Sequence, residues 1–253
     1  MKKTLPILTL LLAIVTISAC TNNSQSENAS SQTESSIVSQ PKDNVTQDEI
    51  KTNKTNWENG ISSLKVVHDK SSISDYASFP TKLANLKKNN DYVISGTVTN
   101  LETMTDHNQA PMTKATIMVD NVLSGNGKLK KHEIKVIFNG GITTNDKSKQ
   151  VFVEKSDTPI PSIGSKIITG ITSNRSGDTD KEYAKYLKKN HLGGSDSFAI
   201  SVPEYNLWIY ENNSHKYVLN NPQLIGKKVS YSNEDNAKKL KKLTKQINQN
   251  FNN

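Results

Sequence analysis

From residue 92 to residue 138 the chain reads as three strands in succession, and no other stretch limits the fold as much. Residues 92–99 are rich in Val, Ile and Thr around Gly96. An interior glycine of this kind marks a bulge or a sharp coil in a strand. Residues 113–123 alternate, with Ala115, Ile117 and Val119 on one side and Thr116, Met118 and Asp120 on the other. Residues 133–138 put Ile134, Val136 and Phe138 on one face. Ser124-Gly125-Asn126-Gly127, between the second and third strands, is turn chemistry. The three predict an antiparallel meander.

Shorter strands are expected at 150–154, 166–171, 197–202, 206–210 and 216–219. A short helix should start at Ser78-Phe79-Pro80, bury Leu83 and Leu86, carry Lys87 and Lys88 at its C-terminal end and stop at Asn89-Asn90. Residues 178–191 predict a second helix with Tyr183, Tyr186 and Leu187 on one face and Gly193-Gly194 beyond its end. A third closes the chain. Ser232 can cap it, Glu234 and Asp235 sit in its first turn, and Leu240, Leu243, Ile247 and Phe251 form a narrow apolar stripe among lysines. That stripe can pack on its own domain, lie on an anionic membrane or meet a partner helix. The fold class expected is mainly β with peripheral helices.

Cys20 is the only cysteine among 253 residues, so no disulfide can brace the fold. The formal charge of +8 falls by two if Lys2 and Lys3 are removed, and arginine occurs once, at Arg175. A basic surface gains attraction to an anionic membrane and to acidic wall polymers. Nucleic acid is a poor partner for a chain with almost no arginine to read bases.

Lys2 and Lys3 precede an apolar run from Leu5 to Ile17 that closes on Ile17-Ser18-Ala19-Cys20. A charged start, a short apolar core and small residues before a cut site make a secretory signal. The run is shorter than the roughly 20 apolar residues of a transmembrane helix. Ile17-Ser18-Ala19-Cys20 resembles the lipobox of bacterial lipoproteins. The resemblance implies a diacylglycerol on the Cys20 thiol, cleavage between Ala19 and Cys20, and a protein anchored to the outer face of the cytoplasmic membrane. Residues 20–56 are then expected to be a disordered tether, because 21–40 is mostly Ser, Asn, Gln, Thr and Glu with Ile37 and Val38 as its only large apolar residues. A β-rich body spans 57–231 and the basic amphipathic helix 232–253.

Part of the body resembles small secreted and lipid-anchored proteins of Gram-positive bacteria. The residues that carry the likeness are Asn90-Asp91 at a helix end, the strand from Tyr92 to Val98, and the strand from Ala115 to Leu123 with its glycine turn. The strand from Ile134 to Phe138 closing on Gly140-Gly141, and Gly164 before an apolar strand, complete it. The resemblance implies a small OB-like antiparallel barrel. That family supplies no catalytic residues.

The five histidines, at 68, 107, 132, 191 and 215, lack metal-site spacing. Ser62-Ser63-Leu64-Lys65 matches S-x-x-K without the partner motifs that give it meaning. Asp106, Asp120, Glu154, Asp157 and Asp178 offer carboxylates whose proximity spacing cannot show. Gly140-Gly141 suggests a turn with positive φ. In a strand, Trp208 and Tyr210 share a face opposite Leu207 and Ile209. If the Leu/Ile face is core, the two aromatics are exposed and suit sugar or peptide contact; alternatively they pack under the C-terminal helix. The expectation is a non-catalytic binding module of the cell envelope, without metal or cofactor, taking a wall polymer or an envelope protein as partner. An envelope hydrolase with a dispersed site and a structural or immunity-type surface protein are the alternatives.

Overall fold

The computed structural model describes residues 45–69, 79–174, 181–226 and 234–252. It opens with α1 (Gln47–Ile61), ten residues of which lie in the expected tether. The reason is local. Thr46 caps the helix by accepting from the Glu49 amide at 3.1 Å, and Asp48 and Glu49 complement the dipole of its first turn. Ile50 is buried and Trp57 meets Phe152 edge to face at 6.2 Å. The tether expectation for 20–56 is therefore corrected over 47–56.

The short strand β1 (Lys65–Asp69) follows, and α2 (Leu83–Lys88) starts later than Pro80. Then come β2 (Tyr92–Thr105), β3 (Pro111–Ser124), β4 (Glu133–Thr144), β5 (Gln150–Lys155) and β6 (Lys166–Ser173). The chain continues through α3 (Lys181–Lys189), β7 (Phe198–Ala199), α4 (Pro203–Asn206), β8 (Leu207–Glu211), β9 (Lys216–Leu219), α5 (Pro222–Ile225) and α6 (Glu234–Phe251). Of the strand expected over 197–202, only Phe198–Ala199 forms, with Ser197 bridging singly to Lys135.

The strands form one sheet in the order β1-β5-β4-β3-β2-β6-β8-β9, with β7 beside β6. The expected meander is there: β2 pairs with β3, and β3 with β4, antiparallel. Its register shifts at Ser95/Gly96, where a Cβ on Gly96 would stand 2.7 Å from the Met118 carbonyl oxygen. The sheet as a whole is mixed, because β1 runs parallel to β5. The purely antiparallel expectation is corrected at that edge.

Gly140-Gly141 does need positive φ, 105° and 143°, but within a strand. Residues of β4 up to Asn139 pair with β3, and those from Gly140 pair with β5. At this crossing the backbones approach too closely for a side chain. A Cβ on Gly140 would lie 2.6 Å from the Val153 oxygen, and one on Gly141 2.8 Å from the Met112 oxygen.

Two cores flank the sheet, the second only over β2, β6, β8 and β9. One core gathers Ile94, Val98, Ile117, Val136, Ile167 and Leu207 with Ile50 of α1. The other gathers Val93, Ile168, Trp208 and Leu219 with Leu86 of α2, Leu224 of α5, and Leu240, Leu243 and Ile247 of α6. Successive residues of β6 and β8 thus enter different cores, as in strands covered on both sides. Asn206 knots the layers. It is buried, donates to the Gly170 and Ser201 carbonyls at 3.0 and 3.1 Å and to Asn90 Oδ1 at 3.3 Å, and accepts from the Gly170 amide at 3.0 Å.

Candidate functional site

The β2–β3 hairpin ends in a tight loop that Asp106 holds together. Its Oδ1 accepts from the amides of Asn108 at 2.8 Å and Ala110 at 2.7 Å, and Gln109 turns the chain with φ 65°. Against this tip packs α3. Tyr183 and Tyr186, three residues apart on its surface, stack at 5.8 Å with planes 26° apart. The Tyr186 hydroxyl donates to the Thr105 carbonyl at 2.9 Å, and the His107 ring meets Tyr186 nearly edge-on at 6.5 Å. Between tip and helix lies an open cleft of about 420 Å3, lined among others by Gln109, Tyr183, Tyr186, Lys189 and Asn190.

Burial, then the neighbouring Tyr183 and the Asp106 carboxylate, push the Tyr186 hydroxyl above its ordinary pKa of 10.0. It therefore stays protonated and keeps donating to Thr105 through the physiological range. Aromatic rings beside amides, an imidazole, ammonium groups and the Asp106 and Glu182 carboxylates suit a ligand with apolar faces and polar edges, as in a sugar ring.

The site predicted from sequence lies elsewhere. Trp208 is 0% exposed, and its indole N–H donates to Thr244 Oγ1 of α6 at 2.9 Å. A contact role for Trp208 is overturned, because α6 covers the face on which it was expected to stand free. Tyr210 is half-buried, edge-on to Tyr217 at 5.3 Å with the Lys166 ammonium 6.0 Å from its ring centre. Its hydroxyl lies 3.4 Å from His215 Nδ1. The stripe of α6 is likewise spent on its own domain, with Leu240, Leu243 and Ile247 buried.

The remaining candidates are scattered. Ser62 caps α1 and its hydroxyl donates to Asn59, while Lys65 starts β1. His68 pairs with Glu154 at 3.5 Å, His132 sits against the Lys130 carbonyl, and His191 and His215 adopt φ of 57° and 49° at turns. Asp120 accepts from Thr97, and Asp157 is buried beside Thr158. Among the described residues no three His, Cys, Asp or Glu side chains gather as metal ligands. Ala19, Cys20 and Asp178 lie outside the described residues.

Comparison with known protein families, curated proteins and solved structures finds no match. No helix among the described residues is long and apolar enough to cross a membrane. The resemblance motif proves structural where it is described. Asn90 packs on Gly170, whose Cβ would fall 2.3 Å from Asn90 Nδ2, and Asp91 accepts from the Ser173 amide at 2.9 Å.

The tyrosine cleft was missed by sequence reading. Tyr183 and Tyr186 carried a signal, two aromatics on one face of a short helix, but they read as that helix's core face. What puts them at a cleft is the hairpin tip, more than 70 residues away in sequence.

Proposed function

We propose that this chain is a lipoprotein, anchored through a diacylglycerol on Cys20 to the outer face of the cytoplasmic membrane, whose body binds a saccharide chain of the envelope. The cleft between the β2–β3 tip and α3 receives it. The observation that carries this reading is the pair of stacked tyrosines, fixed to the hairpin by the Tyr186–Thr105 hydrogen bond. Their rings supply stacking area, Gln109 and Lys189 supply polar contacts, and the net positive charge favours acidic polymers. An OB-like character for the curled strands belongs to the same reading; the Gly140-Gly141 corner that hands β4 from β3 to β5 supports it.

Two experiments test the parts separately. Metabolic labelling with a fatty-acid probe should mark the wild-type chain and not Cys20→Ala; equal label on both would remove the anchor. Sedimentation with purified wall polymer should retain the wild-type protein, and Tyr183→Ala should weaken retention about tenfold or more, a loss of roughly 1.4 kcal/mol. Retention that is absent in both, or unchanged in the variant, would remove the cleft.

A further inference from the structure

The two edges of the sheet are treated differently. At β9 the chain seals itself. Asn248 of α6 accepts from the Tyr217 amide and donates to the Tyr217 carbonyl, both at 2.8 Å, and so satisfies the edge as a neighbouring strand would. Asn252 donates to the His215 carbonyl at 2.7 Å. At β1 the outer edge carries no such cover among the described residues. Val66 and Val67 are 46% and 39% exposed, and among the described residues no other large apolar side chain of the sheet is exposed. An open apolar edge is a template for another strand.

The orientation of that edge is fixed. Asp69 pairs with Lys155 of β5, and its carbonyl accepts from the Ser156 amide at 3.1 Å. In a parallel pair, alternate residues turn both main-chain groups to the same neighbour. Lys65, Val67 and Asp69 therefore face β5, and Val66 and His68 turn their N–H and C=O groups outward.

We propose that β1 pairs with β1 of a second copy of this chain, antiparallel across a two-fold axis at Val67. This register lets Val66 and the partner's His68 exchange both N–H···O bonds, and the symmetry repeats them. Val67 meets the partner's Val67, apolar against apolar. Lys65 stands opposite the partner's Asp69, so the ends of the strand carry opposite charges into contact. Asp69 is already paired with Lys155, and the partner's lysine extends that pair to a network. The other registers that use the outward groups lack this match. Centring on Val66 sets Lys65 against valine, and centring on His68 sets two imidazoles face to face and leaves Lys65 unpaired. The surface is isologous, as a two-fold dimer requires.

The test uses the full chain with Cys20→Ser, so that one introduced thiol is the only one present. In a non-hydrogen-bonded antiparallel pair, facing Cα atoms lie about 4.5 Å apart, within disulfide reach. Val67→Cys should therefore form a disulfide dimer under mild oxidation. Val66→Cys should stay monomeric, because the two copies of that position would be about 9 Å apart by strand rise and spacing. Adding His68→Pro to the Val67→Cys chain removes an outward N–H that no described residue uses, and should cut the dimer at least tenfold. Lys65→Glu, which opposes carboxylates without touching the backbone, should cut it as well. Circular dichroism on each variant reports that the fold is retained. No Val67→Cys dimer, equal dimer from Val66→Cys, or dimer that survives both blocking substitutions would overturn the pairing; so would cross-linking of Val67→Cys to a different protein in place of its own copy.

Discussion

Asn206 illustrates how much of this molecule rests on single polar side chains. Its amide serves three carbonyl oxygens and one N–H inside the protein, so Asn206→Ala strands the Gly170 amide and leaves the Gly170 carbonyl only the Thr169 hydroxyl at 3.2 Å. The expected cost is on the order of 3 kcal/mol, read as a lowered urea midpoint at unchanged slope; a loss below about 1 kcal/mol would show that the knot is dispensable. Two tyrosines report on pH. Burial and neighbouring phenol or carboxylate groups raise Tyr186 and Tyr217 above 10.0. A raised folded-state pKa means that the stability it represents is complete below about 10 and is lost as pH rises through the folded value. The phenolate absorbance of the native protein should thus show a late-titrating fraction, and Tyr186→Phe should remove part of it; an unchanged late fraction would contradict the placement of Tyr186. Trp208 shows what sequence leaves open at this scale, for its packing under the C-terminal helix was one of two readings. Alternation in 206–210 was legible, and its meaning depended on whether the second face was covered, which only α6 decides.

Among the elements, the meander of β2, β3 and β4 and the length of β9 were readable, because side-chain periodicity and the glycine turn act within a few residues. The strands prove longer than periodicity suggested, since β2 and β3 extend to Thr105 and Pro111 as a hairpin that exposes its polar tip. Helix α1 had a signal in Thr46-Gln47-Asp48-Glu49, a capping sequence, and in Ile50 and Trp57 on one face. It was hidden by the polar composition around it. The parallel pairing of β1 with β5 was not legible, because it joins segments more than 80 residues apart with no local mark. A body beginning at residue 57 should accordingly be less stable than one beginning at residue 45. Losing Ile50 and the Asn53–Thr99 hydrogen bond should cost about 3 kcal/mol, roughly 10 °C of Tm. Equal melting temperatures would mean that α1 contributes nothing. On α6, Leu243→Ala should cost about 2–5 kcal/mol and Lys242→Ala less than about 0.5, because the first is fully buried and the second exposed; equal effects would contradict packing of the stripe on its own domain.

At the scale of the whole molecule, a single sheet is covered on both faces at its β2-β6-β8-β9 end, and along the β9 edge, by its own helices. The fold class followed from the sequence because strand-forming residues dominate it. The two-sided burial did not follow, since it depends on α6 returning to strands far from it in the chain. The same return turns the basic tail from a free amphipathic helix into a wall of the second core, so removing 236–253 should unfold the body and not merely strip it of a partner. Among the open clefts, the one at the hairpin tip carries the stacked tyrosines. A thermal-shift titration of the full chain with wall-polymer saccharides, run beside Tyr183→Ala, tests that cleft most directly. At about 100 times the dissociation constant the ligand should stabilise the wild type by roughly 2.7 kcal/mol and leave the variant's Tm nearly unmoved. Wild type and variant shifting equally, or neither shifting across the series, would contradict a saccharide site between Tyr183 and the hairpin.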